Sequence, residues 1–310
     1  MPEHNIFAVG ASAGGVEALE QLVREIPSGF QGSLFVVLHL APRTKSFLPE
    51  LLTRAGKLRA IHPEDGARIE PGCIYVAPPD HHLILARDHV HLGLGPKEQH
   101  HRPCINVMFR SAALSHGPRV TGVVLSGELD DGTAGLWEIK RRGGTAVIQN
   151  PEEATFPSMP LSALRDVEAD YIVNISGMGE LLNRLALNKG ERKRTEVESA
   201  NMEPNITDLT CPDCRGTIWE VPRGNGKEYR CRVGHTFSPK SMLSEHFAAQ
   251  EKMLYSAIVS LEEGASLAAR FAGQFEAPLS DRLREEAKQR EAQAEALRKI
   301  LQERLLFSLD

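Results

Sequence analysis

A turn of small residues near the amino terminus carries a single hydroxyl group, that of Ser12. An apolar run at 6–9 leads into the turn GASAGG at 10–15, and a helical pattern follows at 16–26. The start of a helix has unpaired N–H groups and the positive end of the helix dipole. This position therefore suits either a bound phosphate or the oxyanion that forms when a serine attacks a carbonyl group.

Two more polar side chains follow apolar strand patterns. His39 comes directly after the run at 35–38, and Asp131 lies in an acidic turn shortly after the run at 122–125. Taken alone, the first reads as a satisfied core histidine and the second as a helix cap. The carboxyl ends of parallel strands meet at one edge of a sheet, so both can lie beside Ser12. Together they supply the nucleophile, base and orienting acid of a serine hydrolase.

Two common alternatives fit poorly. The turn at 10–14 has the G-x-S-x-G spacing of α/β-hydrolases, but their chain order is serine, acid, histidine, whereas the order here is Ser12, His39, Asp131. A dinucleotide fold requires G-x-G-x-x-G and an acid placed for a ribose, and neither is found here. The set therefore favours a nucleophile over a phosphate cradle.

The first 187 residues predict an α/β fold with a doubly wound, mainly parallel sheet. Apolar β-rich runs alternate there with amphipathic helical stretches, which is typical of this class. Besides the opening run, we predict strands at 33–38, 72–77, 120–125, 145–148 and 171–173. We predict helices at 47–54, 106–115, 134–142, 162–165 and 177–187, and a hairpin at 83–94.

A second group of chemically active residues lies near the carboxyl terminus. Cys211, Cys214, Cys231 and His235 follow the pattern C-x2-C…C-x3-H, which gives zinc the four nitrogen or thiolate ligands of a tetrahedral site. With four protein ligands such a zinc is structural, and its binding would largely define the fold of a small zinc-ribbon-like module. Idle cysteines are the alternative, and the role of the module is docking, dimerisation or, as a sharper alternative, nucleic-acid binding.

We divide the chain into four segments: a catalytic domain at 1–188, a charged linker at 189–207, the zinc-ribbon-like module at 208–239 and a helical hairpin at 240–310. Apolar residues recur at helical spacing on both sides of a break at 276–278. They predict the seam of the hairpin or of a homo-oligomer, and they are Leu243, Phe247, Leu254, Ile258, Leu261, Leu283, Leu297, Ile300, Leu301 and Leu305.

Composition indicates a soluble, cytoplasmic protein. The 310 residues are 41% hydrophobic and 25% charged, with a formal net charge of −5. We find neither a signal-peptide pattern nor an apolar run of the roughly 20 residues that span a membrane. The mild acidity argues against general nucleic-acid binding, although the basic patches at 140–142 and 193–194 could serve as docking surfaces.

The residues from about 5 to 187 resemble the catalytic domain of the CheB family, the chemotaxis protein-glutamate methylesterases and glutamine deamidases of signal transduction. The segments that carry the resemblance are GASAGG at 10–15, His39 followed by Pro42, EDG at 64–66, YVAPPDHH at 75–82, HRP at 101–103, DGTAG at 131–135, QN at 149–150 and MP at 159–160.

The resemblance implies a reaction and a partner. Ser12 would attack the methyl ester of a glutamate on a methylated chemoreceptor-like protein, with His39 as base and then acid and Asp131 orienting His39. Methanol would leave, water would release the glutamate, and an amide would lose ammonia by the same route. No cofactor is required for this catalysis. The alternatives are an interaction protein whose cleft binds a peptide or helix without turnover, and a hydrolase of another ester or amide.

Several residues depart from the family pattern. Ala13 stands where threonine is usual, Glu128 where methionine is usual, and Cys104 and Asn106 where serine and aspartate are usual. A carboxylate near a forming oxyanion would oppose its charge, and one lost oxyanion donor already costs about 2.7–4 kcal/mol. We therefore expect Glu128 to point away or to select a different substrate. The sequence opens on the catalytic strand, where the family usually has an amino-terminal receiver domain, so we expect no such domain and expect regulation to come from the carboxyl-terminal segments.

Overall fold

The structure is a computed structural model that describes residues 4–39, 45–187, 205–223 and 226–304. It divides into two compact units, Met1–Met242 and Leu243–Asp310. Several predicted features lie outside the described residues: Pro42, the basic pair at 193–194, Leu305 and all but the last three residues of the linker. The described part of that linker, 205–207, already belongs to a strand.

The secondary structure follows the alternation in the sequence. The strands are, in chain order, β1 (Ile6–Ala11), β2 (Ser33–Leu38), β3 (Arg59–Ile61), β4 (Cys73–Val76), β5 (His82–Leu85), β6 (Val90–Gly93), β7 (Val120–Val124), β8 (Thr145–Gln149), β9 (Tyr171–Val173), β10 (Asn205–Thr210), β11 (Thr217–Arg223), β12 (Gly226–Cys231) and β13 (Thr236–Phe237). The α-helices are α1 (Gly15–Glu25), α2 (Leu48–Ala55), α3 (Ile105–His116), α4 (Thr133–Arg141), α5 (Ser158–Asp166), α6 (Met178–Leu187), α7 (Pro239–Ala272) and α8 (Leu279–Arg304).

Among the described residues, seven strands form one sheet in the order β3-β4-β2-β1-β7-β8-β9. Every pair in it is parallel. Helices cover both faces: α1, α2 and α6 contribute to one buried cluster, and α3, α4 and α5 to the other. The predicted doubly wound sheet is confirmed, and the direction of the strand order reverses at β1, where such folds place their binding crevice.

The last part of the first unit is a small antiparallel sheet of strands β10-β11-β12-β13. Its compact core includes Cys211, Ile218, Cys231, Phe237 and Met242, all buried. We call residues 205–242 the C-terminal module. The predicted domain boundaries remain predictions, but a separate small sheet does follow the large one.

The second unit contains α8 and most of α7, packed as a hairpin. Leu254, Ile258 and Leu261 pack with Leu297 and Leu301, and alanines of the two helices meet nearer the connection. This pairing is antiparallel, as predicted. Leu243, Phe247 and Ile300 lie exposed outside this seam, where alanines complete the narrow contact between the two helices. Their assignment to the seam of a homo-oligomer stays a prediction. No helix in the described part of the chain is long and apolar enough to cross a membrane.

Candidate active site

The central strands end level with one another at the carboxyl edge of the sheet. Ala11 of β1 pairs with Leu38 of β2, and Gly10 of β1 pairs with Val124 of β7. Backbone hydrogen bonds continue past the strand ends: the N–H of His39 donates to the Ala11 carbonyl at 3.2 Å, and that of Ser12 to the Ser126 carbonyl at 3.0 Å. The sheet itself therefore fixes where the serine and histidine stand.

The structure brings Ser12, His39 and Asp131 together. His39 Nδ1 lies 3.2 Å from Ser12 Oγ, and His39 Nε2 lies 2.8 Å from Asp131 Oδ2. The side chains of His39 and Asp131 are buried, at 6% and 2% exposure. A carboxylate only accepts hydrogen bonds, so we assign the proton of the neutral ring to Nε2. Nδ1 is then the atom free to accept the hydroxyl proton of Ser12.

The start of α3 holds Asp131 in its charged form. Oδ2 accepts the backbone N–H of Ile105 at 2.8 Å, and Oδ1 accepts those of Asn106 at 3.0 Å and Gly132 at 2.8 Å. Burial alone would raise the pKa of Asp131, but the hydrogen bond and charge of His39 and the backbone donors outweigh it and hold the pKa well below its usual range. A charged carboxylate here can stabilise a protonated His39.

The two unusual residues at the start of α3 remain bonded to the acidic turn. Cys104 Sγ lies 3.2 Å from Asp131 Oδ1, and burial raises the pKa of this thiol, so it stays a neutral donor. The side-chain oxygen of Asn106 accepts the N–H groups of Gly132 at 3.1 Å and Gly135 at 2.7 Å. Both substitutions therefore preserve the support of the carboxylate.

The turn around the nucleophile leaves room for little else. A Cβ on Gly127 would lie 2.8 Å from the Cβ of Ser12, so only glycine allows this approach. Gly14 adopts a left-handed conformation, with φ of 69°, immediately before α1. The N–H groups of Ala13 and Gly14 donate to none of the described residues. The side chain of Glu128 is exposed rather than buried beside the serine.

His101 is a member of this site that the spacing of the sequence does not reveal. Its ring stacks on the ring of His39, with centroids 3.6 Å apart and planes 9° from parallel. Burial lowers the pKa of His101 to about 3, and the positive charge of a protonated His39 acts in the same direction. His101 is therefore neutral near pH 7 and offers His39 a flat, uncharged surface.

The four predicted metal ligands also converge. The ligand atoms of Cys211, Cys214, Cys231 and His235 all lie within 4.8 Å of one another. His235 Nδ1 is 3.6 Å from Cys211 Sγ and 3.5 Å from Cys231 Sγ, and the sulfurs of Cys214 and Cys231 are 3.6 Å apart. These three distances are close to the separation of about 3.8 Å between ligands bound tetrahedrally at about 2.3 Å from one ion. We call these four residues the Cys/His cluster, and their arrangement could hold a metal ion.

A parallel α/β sheet with a serine, a histidine and an aspartate in contact at neighbouring strand ends has the architecture of a serine hydrolase. The family model described as CheB methylesterase matches residues 7–182. The chain belongs to the CheB methylesterase family, and the resemblance seen in the sequence is confirmed.

Named relatives and a solved structure agree with this membership. A Methanosarcina mazei protein named protein-glutamate methylesterase/protein-glutamine glutaminase 2 is 35% identical over 184 residues, which are 57% of this chain and 50% of that protein. A Leptospira interrogans protein with the putative form of that name is 31% identical over 191 residues, covering 61% of this chain and 99% of that protein. The chain thus spans about half the length of the first relative.

The crystal structure of the Thermotoga maritima CheB methylesterase catalytic domain matches with a TM-score of 0.57 and 29% identity. The match covers 59% of this chain and 99% of that domain.

Proposed function

We propose that this protein is a serine hydrolase that removes methyl esters from glutamates, and deamidates glutamines, on chemoreceptor-like proteins. The observation that carries the proposal is the position of His39, in contact with both Ser12 and Asp131, in a chain of the CheB methylesterase family. The relatives' names support the choice of substrate. We also propose that the reaction takes place in the cytoplasm, where composition predicts the protein to lie.

The first half of the reaction follows from the tautomer of His39. Ser12 Oγ attacks the ester carbonyl while its proton passes to Nδ1, and Asp131 stabilises the resulting imidazolium through Nε2–H. The carbonyl oxygen becomes an oxyanion, and the N–H groups of Ala13 and Gly14, which bond to none of the described residues, would donate hydrogen bonds to it. When the intermediate collapses, Nδ1–H protonates the departing methoxide, and methanol leaves an acyl group on Ser12.

The second half reverses these roles. A water molecule gives its proton to His39 Nδ1 and attacks the acyl group, and the same proton then returns to Ser12 Oγ as the glutamate departs. With an amide substrate the leaving group is ammonia, and the remaining steps are identical. The alternative of a binding protein without turnover shares the cleft but makes no use of an activated Ser12.

Reaction with a fluorophosphonate and release of methanol test the proposal. We expect the protein to be labelled at Ser12 and to release methanol from a methylated receptor fragment, and Ser12→Ala to abolish both. Ser28→Ala is a matched control, because Ser28 is exposed at the opposite edge of the sheet, between α1 and β2. Absence of labelling in the unaltered protein would favour the binding protein, and full activity of Ser12→Ala would refute the mechanism.

We also propose that the Cys/His cluster binds one structural zinc ion, which the spacing of its ligand atoms supports. All four ligands come from the protein, so the ion would have no open position for substrate. Metal analysis should find about one zinc per chain, and Cys214→Ser should lose it. Cys73→Ser is the control, since Cys73 lies in β4 of the large sheet. A zinc-free native protein that is fully folded would contradict this assignment.

A further inference from the structure

The residue that stacks on His39 belongs to a tight turn with a demanding backbone. In this turn, 98–101, Glu98 and His101 bond to each other through their backbones, at 2.9 Å and 3.3 Å. The two central residues, Gln99 and His100, have φ values of 51° and 65°. This left-handed conformation is costly for residues other than glycine, and it persists only where surrounding contacts enforce it. Contacts outside the turn must therefore help to hold His101 in place.

The C-terminal module supplies such contacts to Gln99. The backbone N–H of Gln99 donates to the Thr236 carbonyl at 2.7 Å. Its side-chain oxygen accepts the N–H of Ser238 at 3.1 Å and a short hydrogen bond from the hydroxyl of Ser241. Gln99, Thr236 and Ser241 are buried at this contact. Thr236 directly follows His235, so strand β13, which accepts the hydrogen bond from Gln99, begins beside a ligand of the Cys/His cluster.

A second contact reaches the turn from the other half of the cluster. Asp213 lies between Cys211 and Cys214, and its Oδ1 is 3.4 Å from Nδ1 of His100. The two loops that would close around a metal ion thus contact adjacent residues of the turn, immediately before His101. Fixing these loops on one ion would also fix the two surfaces against which the turn rests.

The contacts extend to the segment that carries Asp131. The hydroxyl of Ser238 donates to Oδ1 of Asp130 at 2.9 Å. On the other side of the turn, Arg110 of α3 pairs with Glu98 at 2.6 Å, and α3 is the helix whose first N–H groups hold Asp131. The module and α3 therefore enclose the turn between them, on the side of the site occupied by His39 and Asp131.

We propose that metal bound by the Cys/His cluster positions the catalytic imidazole, acting through the turn 98–101 and the stack of His101 on His39. This inference rests on the proposed function. His101, Gln99 and Asp213 are positioning residues, since they act on His39 and not on substrate. Zinc would then control turnover without taking part in the reaction, and its loss would slow the enzyme by displacing the ring of His39.

Two variants weaken the contacts between the C-terminal module and the turn 98–101 without removing a metal ligand. Asp213→Asn removes the charge opposite His100 but keeps all four ligands, and Gln99→Ala removes the side-chain grip of Ser238 and Ser241. Glu220→Gln is the matched control: it makes the same chemical change within the module, but Glu220 pairs with Lys227, 2.7 Å away. Each protein is used as the full chain, and its zinc content is measured first.

Two readouts report on the imidazole. The first is the rate at which a fluorophosphonate labels Ser12. The second is the low-field NMR resonance of the His39 Nε2 proton, which lies in the hydrogen bond to Asp131. We expect both variants to keep their zinc, to react about tenfold more slowly, and to shift or broaden the resonance, whereas Glu220→Gln should match the unaltered protein. Chelation of zinc should reproduce the change, and adding zinc back should reverse it.

Other outcomes overturn the proposal. Zinc-free protein that reacts at the normal rate with an unchanged resonance would show that the cluster does not position His39. Faster labelling after chelation or in Asp213→Asn would show that the module covers the site instead. If the unaltered protein is not labelled at all, the proposed hydrolase function fails, and the NMR resonance with and without zinc still decides whether the cluster controls the ring.

Discussion

Asp131→Asn tests the assignment of protons in the site most directly. Asp131 accepts five hydrogen bonds: Oδ2 takes those of His39 and Ile105, and Oδ1 takes those of Cys104, Asn106 and Gly132. An amide nitrogen donates only, so it must face one of these two sets of donors. Fewer donors oppose the amide nitrogen at the Oδ2 position, where there are two, than at the Oδ1 position, where there are three. At the Oδ2 position the amide would donate to Nε2, move the ring proton to Nδ1, and leave the Ile105 N–H without an acceptor.

The loss of activity and the loss of stability can both be estimated from these contacts. With its proton on Nδ1, His39 cannot accept the proton of Ser12, and the same tautomer error in the chymotrypsin triad lowers kcat about 10⁴-fold. We expect a similar loss here, about 5 kcal/mol in the activation free energy. One unpaired buried donor costs about 1–3 kcal/mol of stability. A domain stable by about 5–15 kcal/mol therefore stays folded.

The assay is methanol release, with circular dichroism and urea unfolding on the same sample. Asp88→Asn is the matched control, because Asp88 also bonds a histidine, His89, at 2.7 Å, but does so on the exposed hairpin. We expect the control to keep full activity and the low-field proton resonance of His39 to vanish only in Asp131→Asn. A folded Asp131→Asn protein that kept more than about a tenth of the kcat would refute the assignment of Nδ1 as the base.

Three further outcomes are expected. The charged carboxylate of Asp131 stabilises the fold at pH values above its ordinary pKa of 3.8, and this stabilisation is lost as the pH falls toward its lower pKa in the folded protein. The advantage of the unaltered protein over Asp131→Asn in unfolding free energy, measured in urea, should therefore shrink below about pH 4. His101→Ala should lower kcat more than KM changes, and His101→Phe should restore part of it, because a phenyl ring can still stack; equal kcat in the two variants would exclude a role for stacking. Gly127→Ala should displace the nucleophile and lower kcat about a hundredfold, whereas Gly29→Ala, which meets open space, should leave the rate of methanol release unchanged.

The sheet and two of the three central residues can be predicted from sequence for one reason. Strands buried on both faces appear as continuous apolar runs, so a polar residue directly after such a run marks a strand end. Ser12 and His39 each follow a run, and parallel pairing brings the ends together. The strand β3, Arg59–Ile61, begins with an exposed charged residue and has only one fully buried position, so no apolar run marks it in the sequence.

The contacts of His101 could not be predicted in this way. Its position depends on Gln99 and His100 in a conformation that is rare outside glycine, and on Asp213 and Thr236, which lie more than a hundred residues away in the chain. Local periodicity in the sequence contains no information about contacts between residues so far apart in the chain. The seam of the helical hairpin shows the same limit, because hydrophobicity alone does not tell which of two apolar stripes a partner helix will cover.

Because the central strands end side by side, the backbone of Ser12 and His39 opens only when the sheet itself unfolds. The N–H groups of Ser12 and His39 continue the hydrogen-bonded ladder of the innermost strands, so they are released only when the middle of the sheet opens. Such amides exchange with solvent only through global unfolding, whereas the turn 98–101 can open by a smaller local event. The backbone of Ser12 and His39 is thus as stable as the whole domain. Milder changes of temperature or denaturant would act first on the turn 98–101 beside them.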